Sequence, residues 1–230
     1  MVKKVFKALF YTLVALFLLS LLVVVVYRYV PVRYTPLMAI RTAEYKRQKE
    51  NVVRHHHWVP LEHISVHLVH AVVASEDQRF FEHRGFDMEE IRKARSENLT
   101  RRRPRGASTI TQQTAKNVFL WPGRSWVRKG LEAYFVFLME RFWSKERIME
   151  VYLNSIEMGK GIYGAEAVAR QHFHRTASQL TKAQAALIAA TLPNPLRFNS
   201  SNPSAYVLRR QRSILRQMDL MGLPAVKNGR

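Results

Sequence analysis

Cysteine is absent from all 230 residues, so the chain has no disulfide staple and no thiolate metal site. That usage suits an oxidising exterior. Acidic residues are scarce, 17 Asp and Glu against 37 Lys and Arg, which leaves a formal net charge of +20. A chain so basic calls for an anionic partner, whether nucleic acid, anionic lipid or a phosphate-bearing substrate. Strand alternation, internal repeats and low-complexity tracts are also missing, apart from the basic loop "RRRPR" at 101–105. What these absences leave is a mainly α fold class. With 47% hydrophobic content there is room for one well-packed domain and an appendage, and two large domains are excluded.

The appendage comes first. Residues 8–27, "ALFYTLVALFLLSLLVVVVY", carry no charge over twenty positions, enough for a helix rising about 1.5 Å per residue to cross a hydrocarbon core of about 30 Å. The run leads into "RYVPVRYTP" and not into a small-x-small site, so an uncleaved anchor is expected. Lys3, Lys4 and Lys7 precede it, which predicts a cytoplasmic N-terminus and an exported remainder. Export removes most nucleic acid from reach; anionic lipid and diphosphate-bearing substrates remain. Residues 1–7 therefore read as a cytoplasmic tail, 8–27 as a transmembrane anchor, 28–60 as a juxtamembrane connector, and 61–230 as the working domain. Pro31, Pro36 and Pro60 punctuate the connector, and a short helix fits "LMAIRTAEYKRQ". Its "RHHHW" has no second ligand cluster at helical spacing and reads as an interfacial or surface histidine run, not a metal site.

Beyond His63 the pattern is helical. "VRKGLEAYFVFLMERFW" places Leu131, Phe135, Leu138 and Phe142 on one stripe, "LTKAQAALIAATLPNP" opens with a Thr181–Gln184 capping box and stops at Pro193, and another helix fits "SAYVLRRQRSILRQM". "GKGIYG" at 159–164 has the letters of a dinucleotide fingerprint. A helical segment stands before it where a strand is needed and no acid follows about twenty residues on, so a turn between helices is expected.

Three stretches carry candidate chemistry. "ASEDQRFFEHRGFD" brings Glu76 and Asp77 to the end of an apolar run, where lost hydration raises a carboxyl pKa and suits it to proton transfer; the bland alternative is a buried helix ending at the surface. "RGASTITQQTAKN" has a Thr109–Gln112 capping box, so a helix begins there, and its N-terminus reads as an anion site with Gln113 and Lys116 on one side. In "GRSWVRKGLEAYF", Arg128 and Lys129 stand four and three residues before Glu132, the spacing of a surface salt bridge. Arg124, Arg128 and Lys129, three cations in six residues, also suit a diphosphate. A glycosyl diphosphate needs cations around its leaving group and one general base on the attacking hydroxyl, and this inventory matches that need.

"SEDQRFFEHRGFD", "GASTITQQTAKN", "RKGLE", "KERIMEVYLNSIEMGKGIYGAEAVARQHF" and "LTKAQAALIAATLPNP" resemble, in order and spacing, the five motifs of the monofunctional biosynthetic peptidoglycan glycosyltransferase (transglycosylase) family. The resemblance implies a two-lobed, lysozyme-like helical domain whose smaller lobe dips into the bilayer. It implies polymerisation of lipid II into β-1,4-linked glycan by inverting transfer from a polyprenyl-diphosphate donor to an acceptor 4-hydroxyl. Carried over by position, Glu76 is the general base and Glu132 the second essential carboxylate. Ser108, Gln113, Lys116, Arg124, Arg128 and Lys129 belong to substrate binding. No cofactor is certain, and a divalent cation such as Mg stays open. The implied partners are lipid II, growing polyprenyl-diphosphate glycan, inner-membrane lipid, and proteins of cell-wall synthesis or division. The implied place is the bacterial inner membrane, single-pass, with the catalytic domain in the periplasm. Ala107 departs from the second glycine common at that position, and the transpeptidase domain of bifunctional members is expected to be missing. The alternative class is a membrane-anchored lytic transglycosylase, which cleaves finished glycan and has no use for a diphosphate cradle.

Overall fold

The computed structural model describes residues 2–101, 105–123 and 125–222. It begins with α1 (Val2–Tyr27), whose apolar side chains are almost all exposed, as expected of a helix whose solvent is lipid. It is the one helix among the described residues long and apolar enough to cross a membrane. α2 (Pro36–Arg47) starts at Thr35, whose hydroxyl accepts from Met38 N while Pro36 fills the first helical position. β1 (His55–His56) and a 3-10 turn (Leu61–His63) lead into α3 (Val66–Glu76). α4 (Met88–Asn98) is capped by Asp87, α5 (Ile110–Phe119) by Thr109, α6 (Trp126–Phe142) by Ser125 and α7 (Lys145–Ser155) by Ser144. β2 (Glu157–Gly159), β3 (Ile162–Tyr163) and α8 (Ala165–Phe173) follow. α9 (Lys182–Thr191) and α10 (Ala205–Met221) complete the set.

α3 is buried on every side from Leu68 to Ala74 because it runs between α9 and α10. The short alanine side chains of "KAQAALIAAT" let α9 approach it at interior packing density. A second group, α5, α6 and α7, packs around Ile110, Met139, Ile148 and Tyr152. The end of α3 abuts the start of α5, so the seam between the two groups is where Glu76 emerges.

α1 is docked to this second group. Ser20 Oγ and Tyr134 Oη are 2.7 Å apart, Trp143 Nε1 donates to Val24 O at 2.8 Å, and the Arg147 guanidinium donates to Tyr27 O and Val30 O. A helix's last carbonyls lack an intrahelical donor, and Arg147 supplies one to Tyr27 O at the end of α1 and to Val30 O just beyond it. Removing residues 1–27 is expected to leave a folded domain with a lower Tm, by about 2–4 °C for each kcal/mol lost, because Trp143 and Arg147 lose acceptors. Its basic surface should keep it on anionic vesicles at low salt, which flotation would check.

The sequence pattern anticipated α2, α5, α9 and α10 closely and missed the sheet. β1 pairs parallel with β3, and β2 antiparallel with it. Strands of two or three residues are too short to show alternation. "GKGIYG" is the turn of the β2–β3 hairpin and the entry to α8, not a bare turn between helices: Gly161 and Gly164 have φ of +74° and +83°, and a Cβ would fall 2.6 Å from Val53 O and 2.5 Å from Asn154 O. The histidine run is part of this sheet. His55 N donates to Gly161 O, and His56 Nε2 is 3.0 Å from Asn154 O. The stripe on α6 also differs. Leu138 is buried and Phe135 and Phe142 pack against the core as expected, but Leu131 is exposed, and Arg128 and Glu132 are buried along with Val136 and Met139, because α6 also turns this charged pair inward.

Candidate active site

Glu76 is the last residue of α3 and Asp77 its C-cap, and the two carboxylates have different duties. Asp77 accepts from His83 Nε2 at 2.9 Å and from Ile110 N at 3.0 Å, so it ties the end of α3 to the first turn of α5. The Thr109 hydroxyl donates to Gly85 O at 2.6 Å and accepts from Gln112 N, and the Gln112 side chain accepts from Thr109 N. The expected capping box is present. The expectation of an open anion site at this helix N-terminus is corrected, since Ile110 N and Gln112 N are already satisfied by Asp77 and Thr109.

Glu76 accepts from Gln113 Nε2 at 2.9 Å, its one hydrogen-bond partner among the described residues. Burial raises its pKa above the ordinary carboxylate value; the Gln113 hydrogen bond and the charges of Arg210 and Lys116 pull it back, and Asp77 pushes it up further. Its side chain is half-buried and lines a cavity of about 270 Å³ shared with Ser108, Lys93 and Gln217. A larger hollow of about 1140 Å³ lies at the other end of α3, between Val66, Arg147 and Thr181. None of the candidate site residues lines it.

On the other side of Gln113 lies a cation cluster. Glu132 is buried, with Arg128 Nη1 on its Oε2 at 2.8 Å and Lys129 Nζ on its Oε1. Arg128 is buried too, and its Nε donates to Gly123 O at 2.9 Å. The surface salt bridge expected from the spacing is therefore an interior one. Burial there costs Arg128 and Glu132 several kcal/mol each, and the attraction of Glu132 to its two cations offsets it. Lys129 keeps 45% of its side chain exposed, so it faces outward from the cluster. Lys116 joins from α5. Burial lowers its pKa, Glu132 and Glu76 raise it, and Arg128 and Lys129 lower it further, so its charged neighbours span both halves of the site. Arg124 lies outside the described residues.

The fold thus brings together Glu76, Gln113, Lys116, Arg128, Lys129 and Glu132, with Ser108 on the cavity wall beside Glu76. Sequence reasoning missed two groups. Tyr152 on α7 donates to Gln113 Oε1 at 3.2 Å, and Arg210 on α10 faces Glu76 electrostatically. Tyr152 looks like a core aromatic, and Arg210 is one of several cations along α10, so neither carries a local signal. Among the described residues one group, Asp77, His83 and Asp87, has metal-ligating atoms within 4.8 Å of one another. Asp77 already accepts from His83 and Ile110, and Asp87 Oδ1 from Glu89 N and Glu90 N, so their hydrogen bonds account for the arrangement.

Comparison with known proteins adds to this geometry. The transglycosylase family model matches residues 42–219, well over half of the chain. A biosynthetic peptidoglycan transglycosylase of Bacteroides thetaiotaomicron is 60% identical over 220 residues, covering 96% of this chain and 89% of that protein. Proteins of the same description from Bdellovibrio bacteriovorus and Caulobacter vibrioides are 57% and 52% identical, each over 88% of this chain and over 81% and 87% of their own.

Proposed function

Because the chain belongs to the transglycosylase family, we propose that it is the biosynthetic enzyme its relatives are named for, a glycosyltransferase that polymerises lipid II into the glycan strands of peptidoglycan. The observation that carries the reading is a carboxylate with a raised pKa held by Gln113, one helical turn from Lys116 and its cation cluster. Glu76 takes the proton of the acceptor 4-hydroxyl as that oxygen attacks the donor's anomeric carbon. The diphosphate leaves as a stable anion and asks for no acid. Lys116 and Lys129 meet its charge, with Arg124 beside them in sequence and Ser108 on the neighbouring wall. Glu132 holds Lys129 and Arg128 from beneath and attracts Lys116, while Arg128 is engaged by Glu132 and the Gly123 carbonyl.

The apolar N-terminal helix fits a membrane-bound enzyme. The finer placement, an inner-membrane anchor with the catalytic domain on the periplasmic side, is supported by the lysines in the first turns of α1, ahead of its apolar run, and by a substrate that lives in the membrane. Proteins of cell-wall synthesis or division are the partners such a position would offer. No observation favours the lytic reading. Incubating the purified full-length protein with labelled lipid-linked disaccharide pentapeptide should yield polymer, and release of soluble fragments from finished cell wall in place of polymer would overturn the proposal.

A further inference from the structure

Tyr152 is fully buried, and among the described residues its hydroxyl has one partner, Gln113 Oε1. An amide side chain has two ends of nearly equal shape, and only its partners decide which end faces where. With Gln113 turned about, the amide oxygen would lie against the Glu76 carboxylate, and the buried phenol would lose its acceptor. Burial, with the nearby charges of Glu76 and Asp77, raises the Tyr152 pKa far above its ordinary value, so the phenol stays protonated and stays a donor.

We propose that Tyr152 is a positioning residue that fixes the Gln113 amide with its N–H end toward Glu76. The inference rests on the reading of Glu76 as the base. Tyr152 sits on α7 and acts from behind Gln113, while Arg210 on α10, Lys116 on α5 and the adjacent Asp77 supply the other charges that face Glu76. The arrangement gives Gln113 a definite task. It offsets part of the desolvation of Glu76, so that the carboxyl is ionised when the acceptor arrives, and it occupies Oε2 so that Oε1 is the oxygen that takes the proton.

Tyr152→Phe keeps the ring and removes only the donor. In the full-length protein in detergent or vesicles, the acid limb of the pH–rate profile should move up by about one pH unit, a loss of about tenfold on the acid side that recovers in alkali. A packing role alone would lower the rate equally at every pH, and that result would overturn the inference. In a Gln113→Leu background, Tyr152→Phe should produce no further displacement of the limb; an added displacement would overturn the relay. Infrared titration of the carboxyl band that disappears in Glu76→Gln reads the same proton without activity. No displacement of that band in Tyr152→Phe overturns the inference. A displaced band with an unmoved rate profile upholds the relay and rejects Glu76 as the base.

Discussion

Glu76→Gln is expected to leave the fold intact and to abolish polymer formation, with a loss at the upper end of the roughly 100- to 10,000-fold range of a general base. The amide is nearly isosteric and can still meet Gln113, but it cannot accept a proton from the acceptor hydroxyl. The loss should fall on kcat, since the cation cluster is untouched. More than about a tenth of the wild-type rate in a well-folded variant would reject the assignment. Stability should not fall with activity. Burial raises the folded-state pKa of Glu76, so its contribution to stability is present below the unfolded value and is lost as pH rises through the folded one. Wherever Glu76 is ionised, its buried charge therefore weakens the fold, and the neutral amide removes that cost. The Tm of Glu76→Gln should equal or exceed that of the wild type, as at other sites where function is held against stability.

The same local reasoning explains which parts of the molecule were legible in the sequence. The capping boxes at Thr109 and Thr181 and the apolar run of α1 are signals complete within a few residues, and each appears where the pattern put it. The end of α3 stood out as candidate chemistry because an acidic pair after an apolar run loses hydration, though a buried helix ending at the surface fits the same letters. The division of labour between Glu76 and Asp77 was not legible, because it depends on Ile110 and Gln113, more than thirty residues away. Glu132 misled for a similar reason. Spacing of three and four makes an ion pair on any helix, but only packing against α5 turns the pair inward. Tyr152 and Arg210 had no local signal, since what each does is set by which helix lies opposite. The short sheet was lost to periodicity for want of length, although the glycines at 161 and 164 marked its tight approaches.

Lys129→Ala and Lys116→Ala should each weaken use of the lipid-linked donor, by about 10- to 150-fold in rate or affinity, because a charge-assisted contact is worth about 1.5–3 kcal/mol. The two variants should differ in kind. Lys129 lies at the outer edge of the cluster with much of its side chain exposed, and it is not one of the stronger charges acting on Glu76, which are Arg210, Asp77 and Lys116. Its loss should appear as weaker binding of a short-chain prenyl diphosphate by calorimetry, with the acid limb of the pH–rate profile unmoved. Lys116 does act on Glu76, holding its pKa down, so its removal should weaken the same binding and also move that limb upward. Glu132→Gln tests the floor of the cluster. Without the negative charge, Arg128 is a buried cation among neutral acceptors, the Gly123 carbonyl and the new amide oxygen, and breaking a buried ion pair from one side costs about 3–5 kcal/mol. That variant should lose Tm as well as donor binding, whereas Lys129→Ala should keep its Tm within a few degrees. Unchanged diphosphate binding in both lysine variants would reject the cradle, and an unchanged Tm in Glu132→Gln would reject the view that Glu132 is its foundation.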